Sequence, residues 1–121
     1  TAISASSTHR NCSLAGSRLD KQGPGASWCP TAKDNRLFIK WDLGSVQDVS
    51  LVKLRGRNDM HSEGEWVTKF RLYWSLDDAS WVTTPGLEQF NGNSDRNSIV
   101  EVKLDPPISA RYVVLAPMSW Q

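Results

Sequence analysis

The sequence has no apolar run approaching the roughly 20 residues that a membrane-spanning helix needs, and no window of eleven carries apolar residues at helical spacing. A helical bundle and a transmembrane helix therefore have no support. It also has no excess of charge. A formal net charge of +1 and a pI near 7.7 remove the global electrostatic case for nucleic acid, which would show a basic stripe and a high pI. Histidine is scarce, with His9 and His61 alone. There is no H-E-x-x-H, no cysteine cluster and no glycine-rich phosphate loop, so no transition-metal site is expected. Serines are plentiful, but no motif seats a nucleophile beside a base, and the reading is of a protein that is not an enzyme.

Cysteine is limited to Cys12 and Cys29. A bridge between them would close a short loop and stabilise the fold by about 3 kcal/mol on the chain-entropy account. The alternatives are two thiols, one or both buried as small hydrophobes, or partners for cysteines outside this chain. Asn11-Cys12-Ser13 is an N-x-Ser acceptor, which makes Asn11 a glycosylation candidate. No signal peptide is present, and the opening Thr1-Ala2-Ile3-Ser4 reads as an excised or processed piece.

What remains is ordinary globular material: 121 residues, 39% hydrophobic and 22% charged, enough for one domain over 1–121 with a core of its own. Charge is uneven along it. The first forty residues carry six basic side chains (Arg10, Arg18, Lys21, Lys33, Arg36, Lys40) against two acidic ones (Asp20, Asp34). Six tryptophans point to a core of large flat side chains, which suits packed sheets.

Strand periodicity dominates. Trp66, Phe70, Leu72, Trp74 and Leu76 alternate with Lys69, Arg71, Tyr73 and Ser75; Leu37, Ile39, Trp41 and Leu43 alternate with Lys40 and Asp42; Val100, Val102 and Leu104 alternate with Glu101 and Lys103. Each pattern has period two with one buried face. Val49 to Arg55 and Tyr112 to Leu115 are further strand-like runs. A hairpin turn is expected at Asp77-Asp78, and Asp105-Pro106-Pro107 is expected to end a strand. Long loops fall at Gly16 to Asn35, Asn58 to Gly64 and Asn91 to Ser98, and long loops in compact domains are usually functional. Short strands with turns and no helices predict an all-β antiparallel sandwich or jelly roll.

Six segments in order carry a resemblance: Ser17-Arg18-Leu19-Asp20, Ser27-Trp28-Cys29-Pro30, Ile39-Lys40-Trp41-Asp42-Leu43-Gly44, Glu65-Trp66-Val67-Thr68-Lys69-Phe70, Phe90-Asn91-Gly92-Asn93-Ser94-Asp95 and Asp105-Pro106-Pro107-Ile108-Ser109-Ala110-Arg111-Tyr112. The chain resembles the discoidin family, the coagulation factor V/VIII type C module, from about Ser4 to Trp120. The resemblance implies a jelly-roll sandwich of the galactose-binding-like type, non-catalytic and displayed outside cells as part of a larger secreted or membrane-anchored chain. Ligands would be taken by loops gathered at one end, here Leu19 to Asn35, Arg57 to Glu65 and Asn91 to Asn97. The pattern departs from the family twice. Relatives continue with a further strand after the segment resembling Pro117-Met118-Ser119-Trp120, so a sandwich lacking that closing strand is expected. In some relatives the cysteine matching Cys29 pairs with one in that strand, which leaves Cys29 to Cys12 or to a reduced state. Relatives also often have an arginine where Val114 stands.

Trp28, matched to a family core position beside Cys29, is expected in the core. Glycan recognition needs side chains that fork hydrogen bonds to hydroxyls, and Asp34, Asn35, Arg36, Arg57, Asn58, Asp59, His61 and Glu63 supply that chemistry. Each alone reads as an ordinary solvated loop residue; the case rests on their convergence. The leading reading is an extracellular module for glycan, glycoprotein or matrix ligands in cell adhesion. The second is a module for anionic phospholipid such as phosphatidylserine, with Met60 and basic residues (Lys21, Lys33, Arg36, Arg57) at the surface, although bulky apolar loop tips are few. A protein–protein module of a larger receptor is the third. Asn91-Gly92-Asn93-Ser94-Asp95 alternates oxygen donors as calcium would require, yet an Asx-rich turn gives the same letters without an ion. The turn is favoured, and no cofactor is expected.

Overall fold

The computed structural model describes residues 2–10, 12, 14–19, 27–31, 37–57, 65–83 and 88–121. Among them the regular structure is antiparallel β, apart from one turn of 3-10 helix at Ala15–Ser17. The strands are β1 (Ala2–Ala5), β2 (Ile39–Arg55), β3 (Val67–Ser75), β4 (Trp81–Thr83), β5 (Phe90–Asn91) and β6 (Ile99–Trp120). Their order in the sheet is β1-β2-β6-β3-β4, with β5 on β3.

Register explains the alternation in the sequence. Ile3, Trp41, Val113 and Trp74 stand opposite one another, and so do Ala5, Ile39, Leu115 and Leu72. Facing residues share a face of the sheet, so these rows build the core side. The intervening rows, Lys40–Val114–Tyr73 and Asp42–Tyr112–Ser75, point the other way.

β2 does not run straight. Its ladder with β6 breaks between Asp42 and Gln47, where Gly44 takes a φ of +84° and donates its N–H to Asp42 Oδ1 at 2.9 Å. Glycine adopts this left-handed backbone without a Cβ penalty. Ile39 and Leu54 would lie about 50 Å apart on an unbent strand, yet both belong to one core with Phe70, Leu72, Leu104 and Leu115. The sheet therefore turns back on itself at this corner, and its halves face each other as a β-sandwich. Phe70, fully buried, stacks on Phe90 at 5.5 Å between ring centroids.

Four expectations are corrected. The runs 39–43 and 49–55 form one long strand, which Leu37 precedes, and 100–104 and 112–115 likewise form one. Asp105-Pro106-Pro107 does not end a strand: Leu51 pairs with Lys103 and Val49 with Ile108, so residues 104–107 bulge opposite the single residue 50. Proline cannot donate to a ladder, and a bulge is where no donor is required. Leu76 is not in the core but 59% exposed, because β3 stops at Ser75 and the chain turns through 76–80, with Asp78 at φ 63°. Trp81 also escapes the core; its pairing with Ser75 puts it on the outer face, 39% exposed. The expected hairpin itself is present.

Candidate functional site

The second long loop leaves the end of β2 and returns to the start of β3, and its neck is closed by a bridge between Arg57 and Glu65. The Arg57 N–H donates to the Glu65 carbonyl at 2.6 Å, and Nη1 donates to Oε2 at 3.1 Å. The third loop is tied to the same end. Gly92 and Asn93 donate their N–H groups to the carbonyls of Thr68 and Val67 at 2.8 and 2.7 Å. The Asn93 amide nitrogen donates to Leu54 O at 3.1 Å and to Ser98 O at 2.9 Å. Asn93 is only 4% exposed, so its side chain acts as an internal strut between β2 and the loop. Its Oδ1 is buried without a hydrogen-bond partner.

Within this loop Asp95 accepts the N–H groups of Asn97 and Ser98 at 2.8 and 2.6 Å and the Ser98 hydroxyl at 2.8 Å. These donors, the Ser98 N–H first, hold its carboxyl below the usual carboxylate range. The arrangement is that of an Asx turn.

The first loop is fastened by a disulfide. Cys12 and Cys29 are bonded, with Cα atoms 5.7 Å apart, which settles the alternatives left open by their spacing. The Cys29 carbonyl accepts the His9 N–H at 2.7 Å. Trp28 packs against the core, as its family match implies, and its indole Nε1 donates to Ser7 O at 2.9 Å.

The bases of all three loops border one cavity of about 650 Å³, which reaches between the two halves of the sandwich. Among the described residues its wall takes Arg18, Leu19 and Trp28 from the first loop's flanks, Arg57 and Glu65 from the neck of the second, and Asn93 from the third. Core residues Ile39, Leu72 and Leu115 are among its apolar lining. A polar rim over an apolar interior is the usual make-up of a small-molecule site.

Of the residues expected to contact ligand, Arg57 lies at this rim. Asp34, Asn35, Arg36, Asn58, Asp59, Met60, His61 and Glu63 lie outside the described residues, as does the glycosylation candidate Asn11. Sequence reasoning did not place Glu65 or Asn93 among the ligand contacts, and weighed Asn93 only within the Asn91–Asp95 stretch. Asn93 had one signal, its neighbour Gly92: a Cβ there would stand 2.3 Å from the Val67 carbonyl oxygen, so the 91–93 segment must press against β3. Among the described residues there is no group of three or more His, Cys, Asp or Glu placed to hold a metal ion, and no helix long and apolar enough to cross a membrane.

Comparison with known proteins agrees with this architecture. Retinoschisin of Takifugu rubripes is 37% identical over 108 residues, covering 85% of this chain and 38% of that protein. The structure of wild-type discoidin II from Dictyostelium discoideum superposes with a TM-score of 0.84 at 27% identity, covering 99% of this chain and 49% of that one. A family 32 carbohydrate-binding module from Clostridium perfringens NanJ, solved in complex with galactose, shares the fold with a TM-score of 0.62 at 15% identity, over 98% of this chain and 82% of that one. The chain thus spans half or less of the length of the retinoschisin and discoidin II chains it matches. The F5/8 type C domain profile fits residues 2–121, and with the sandwich and its three loop bases in place, the chain belongs to the F5/8 type C, or discoidin, domain family.

Proposed function

We propose that this domain is a non-catalytic, extracellular recognition module that binds a glycan, carried on a glycoprotein or matrix polymer, at the end where its three long loops meet. The observation that carries the reading is the convergence of the loop bases around a single cavity, with Arg57, Glu65 and Asn93 at its polar rim. Sugars are held by charge-assisted and amide hydrogen bonds to hydroxyls, and this rim offers a guanidinium, a carboxylate and an amide. The Asn93 amide hydrogens are already given to Leu54 O and Ser98 O, so what that amide contributes is its buried Oδ1 acceptor, which has no hydrogen-bond partner. The galactose complex of the Clostridium perfringens module is an instance of this fold taking a sugar. The disulfide supports an oxidising, extracellular setting, since cytosolic thiols are kept reduced. A role in adhesion follows from this reading if the glycan sits on a cell or matrix surface.

The test is a paired screen of the purified domain on a glycan array and on phosphatidylserine against phosphatidylcholine vesicles, with Arg57→Ala and Met60→Ala beside the wild type. Sugar binding lost in Arg57→Ala, with no preference between vesicles, is the expected result. Binding that follows phosphatidylserine, weakens with salt and needs Met60 would replace this function with a membrane-surface one. Failure on both would point to a protein ligand.

A further inference from the structure

A second constellation lies on the opposite side of the sheet from the core and away from the loops. The outward rows of β2, β6, β3 and β4 gather Lys40, Tyr112, Tyr73 and Trp81. The Lys40 ammonium lies between two rings, 5.6 Å from the Trp81 centroid and 5.4 Å from that of Tyr112, and is ion-paired with Asp78 of the hairpin. The Arg111 guanidinium covers Tyr112 at 5.1 Å and grips both oxygens of Asp42, at 2.9 and 3.2 Å. An open bay of about 330 Å³ is bounded by Phe38, Lys40, Tyr73, Asp78, Trp81 and Val114. Trp81 pairs with Ser75, at the far end of β3 from Val67, so this bay stands about 26 Å along the strand from the loop end.

We infer that this bay is a second binding site, for a single neutral pyranose ring of a glycan. The inference is independent of what the loop end binds. The volume is at the lower limit for small-molecule sites, about 300 Å³, which suits one ring and not an extended chain. The indole of Trp81 presents an electron-rich face, and the partly positive C–H bonds of a pyranose are what such a face attracts. Beside it the Lys40–Asp78 pair engages one of three ammonium protons and one of two carboxylate oxygens. Donor and acceptor are thus held side by side, the pattern that vicinal hydroxyls match. The charges decide against other occupants. An organic cation would meet an aromatic cage in which Lys40 already sits. An anion would find both cations matched by carboxylates, Lys40 by Asp78 and Arg111 by Asp42.

The experiment is a titration of the ¹⁵N-labelled domain with methyl β-galactopyranoside and methyl α-glucopyranoside, and with sodium sulfate and tetramethylammonium chloride as charged controls. Expected are saturable shifts of the Trp81 indole and of the Lys40 and Tyr112 amides with at least one of the sugars, and none of comparable size with the ions. Trp81→Ala should weaken binding about tenfold, with Trp81→Phe in between, because the ring contributes stacking area. Lys40→Met keeps the aliphatic stem, removes the donor and should weaken binding as well. Trp81 is exposed and Lys40 is partly buried on the outer face, and an unchanged spectrum elsewhere confirms that the variants fold. The inference is overturned if neither sugar shifts Trp81 up to about 100 mM, where a site of millimolar Kd is saturated. Shifts confined to Arg57, Glu65 and Asn93 would overturn it and leave the loop-end function standing. Shifts that depend on protein concentration without sugar would mean that a second copy covers the bay, which also overturns it.

Discussion

Removing the Cys12–Cys29 bond is the perturbation whose size follows most directly from the structure. The bond joins residues 17 apart in sequence and so restrains one loop of the unfolded chain. For a loop of that length the chain-entropy relation gives about 3 kcal/mol at 25 °C. Domains of this size unfold at a cost of about 5–15 kcal/mol, so the bond represents a large share of the margin. With about 4 °C of Tm per kcal/mol for a chain between the small and medium classes, the Cys12→Ala/Cys29→Ala double variant should melt about 12 °C below the oxidised protein. Calorimetry of the oxidised protein, the reduced protein and the double variant measures this. Reduction and mutation should agree closely, since both release the same loop. Glycan affinity should fall along with Tm, because the bond holds the stem of the first loop through Cys29 and, beside it, Trp28. A loss under about 3 °C in both would refute the loop-entropy reasoning. A loss confined to the double variant would mean that packing of the half-cystines, and not the cross-link, carries the stability.

Three further outcomes are expected. Gly92→Ala places a Cβ 2.3 Å from the Val67 carbonyl oxygen; backbone cannot swing away as a side-chain tip would, so a loss of about 1–3 kcal/mol in urea unfolding is expected, and an unchanged midpoint would refute it. Asp42, Asp77 and Asp95 are all held below the ordinary carboxylate value of 3.8, chiefly by the Arg111 side chain, the Ser80 N–H and the Ser98 N–H respectively. Their folded-state values lie below the unfolded one, so their stabilisation is complete above the unfolded value and is lost as pH falls through the folded ones: Tm should be flat from about pH 7 to 5 and drop below about pH 4, and the drop should flatten in the triple Asp→Asn variant. Because backbone and hydroxyl donors already fill the Asp95 carboxylate, EDTA should leave Tm unchanged; a fall of several degrees, restored by calcium, would make 91–95 an ion site.

How far the sequence reaches is visible in β2 and β6. Period two located the core face correctly at Ile39, Trp41, Phe70, Leu72 and Leu104, because each of those side chains alternates with a polar neighbour that faces away. The same periodicity is blind to connection. Across Gly44 and again across Pro106 the alternation lapses for a few residues, and a lapse reads equally as a loop or as a corner. Pairing with a strand distant in sequence decides between them, as in Ile39↔Leu115 on one side of the corner and Leu54↔Val100 on the other. β1 and β5 escaped notice for a related reason: Ala2–Ala5 and Phe90–Asn91 are too short to establish a period, and they are strands only because an edge is offered to them.

The two surfaces differ in legibility for the same physical cause. Arg57 was identifiable as a loop residue of the right chemistry, but its partner Glu65 lies on the returning arm of the loop, and no local pattern announces that the two arms meet. On the outer face, Tyr73, Tyr112 and Trp81 were each visible in the sequence, and alternation assigned Tyr73 away from the core. An aromatic residue at such a position is unremarkable alone. It becomes a candidate for binding only when register brings it beside another, and here the pairings Lys40↔Val114, Val114↔Tyr73 and Ser75↔Trp81 assemble residues from four strands. Composition favoured placing every tryptophan inside, since burial of so large a ring is strongly favourable. Trp81 is on an edge strand and the residue is 39% exposed, so it forgoes part of that gain. Substitution of Trp81 by Thr, a strand-forming residue of smaller area, should therefore leave stability within about 0.5 kcal/mol, while weakening the sugar-dependent shifts of Lys40 and Tyr112 about tenfold in affinity. A loss of several kcal/mol would show that the ring is held there by packing and has no need of a ligand.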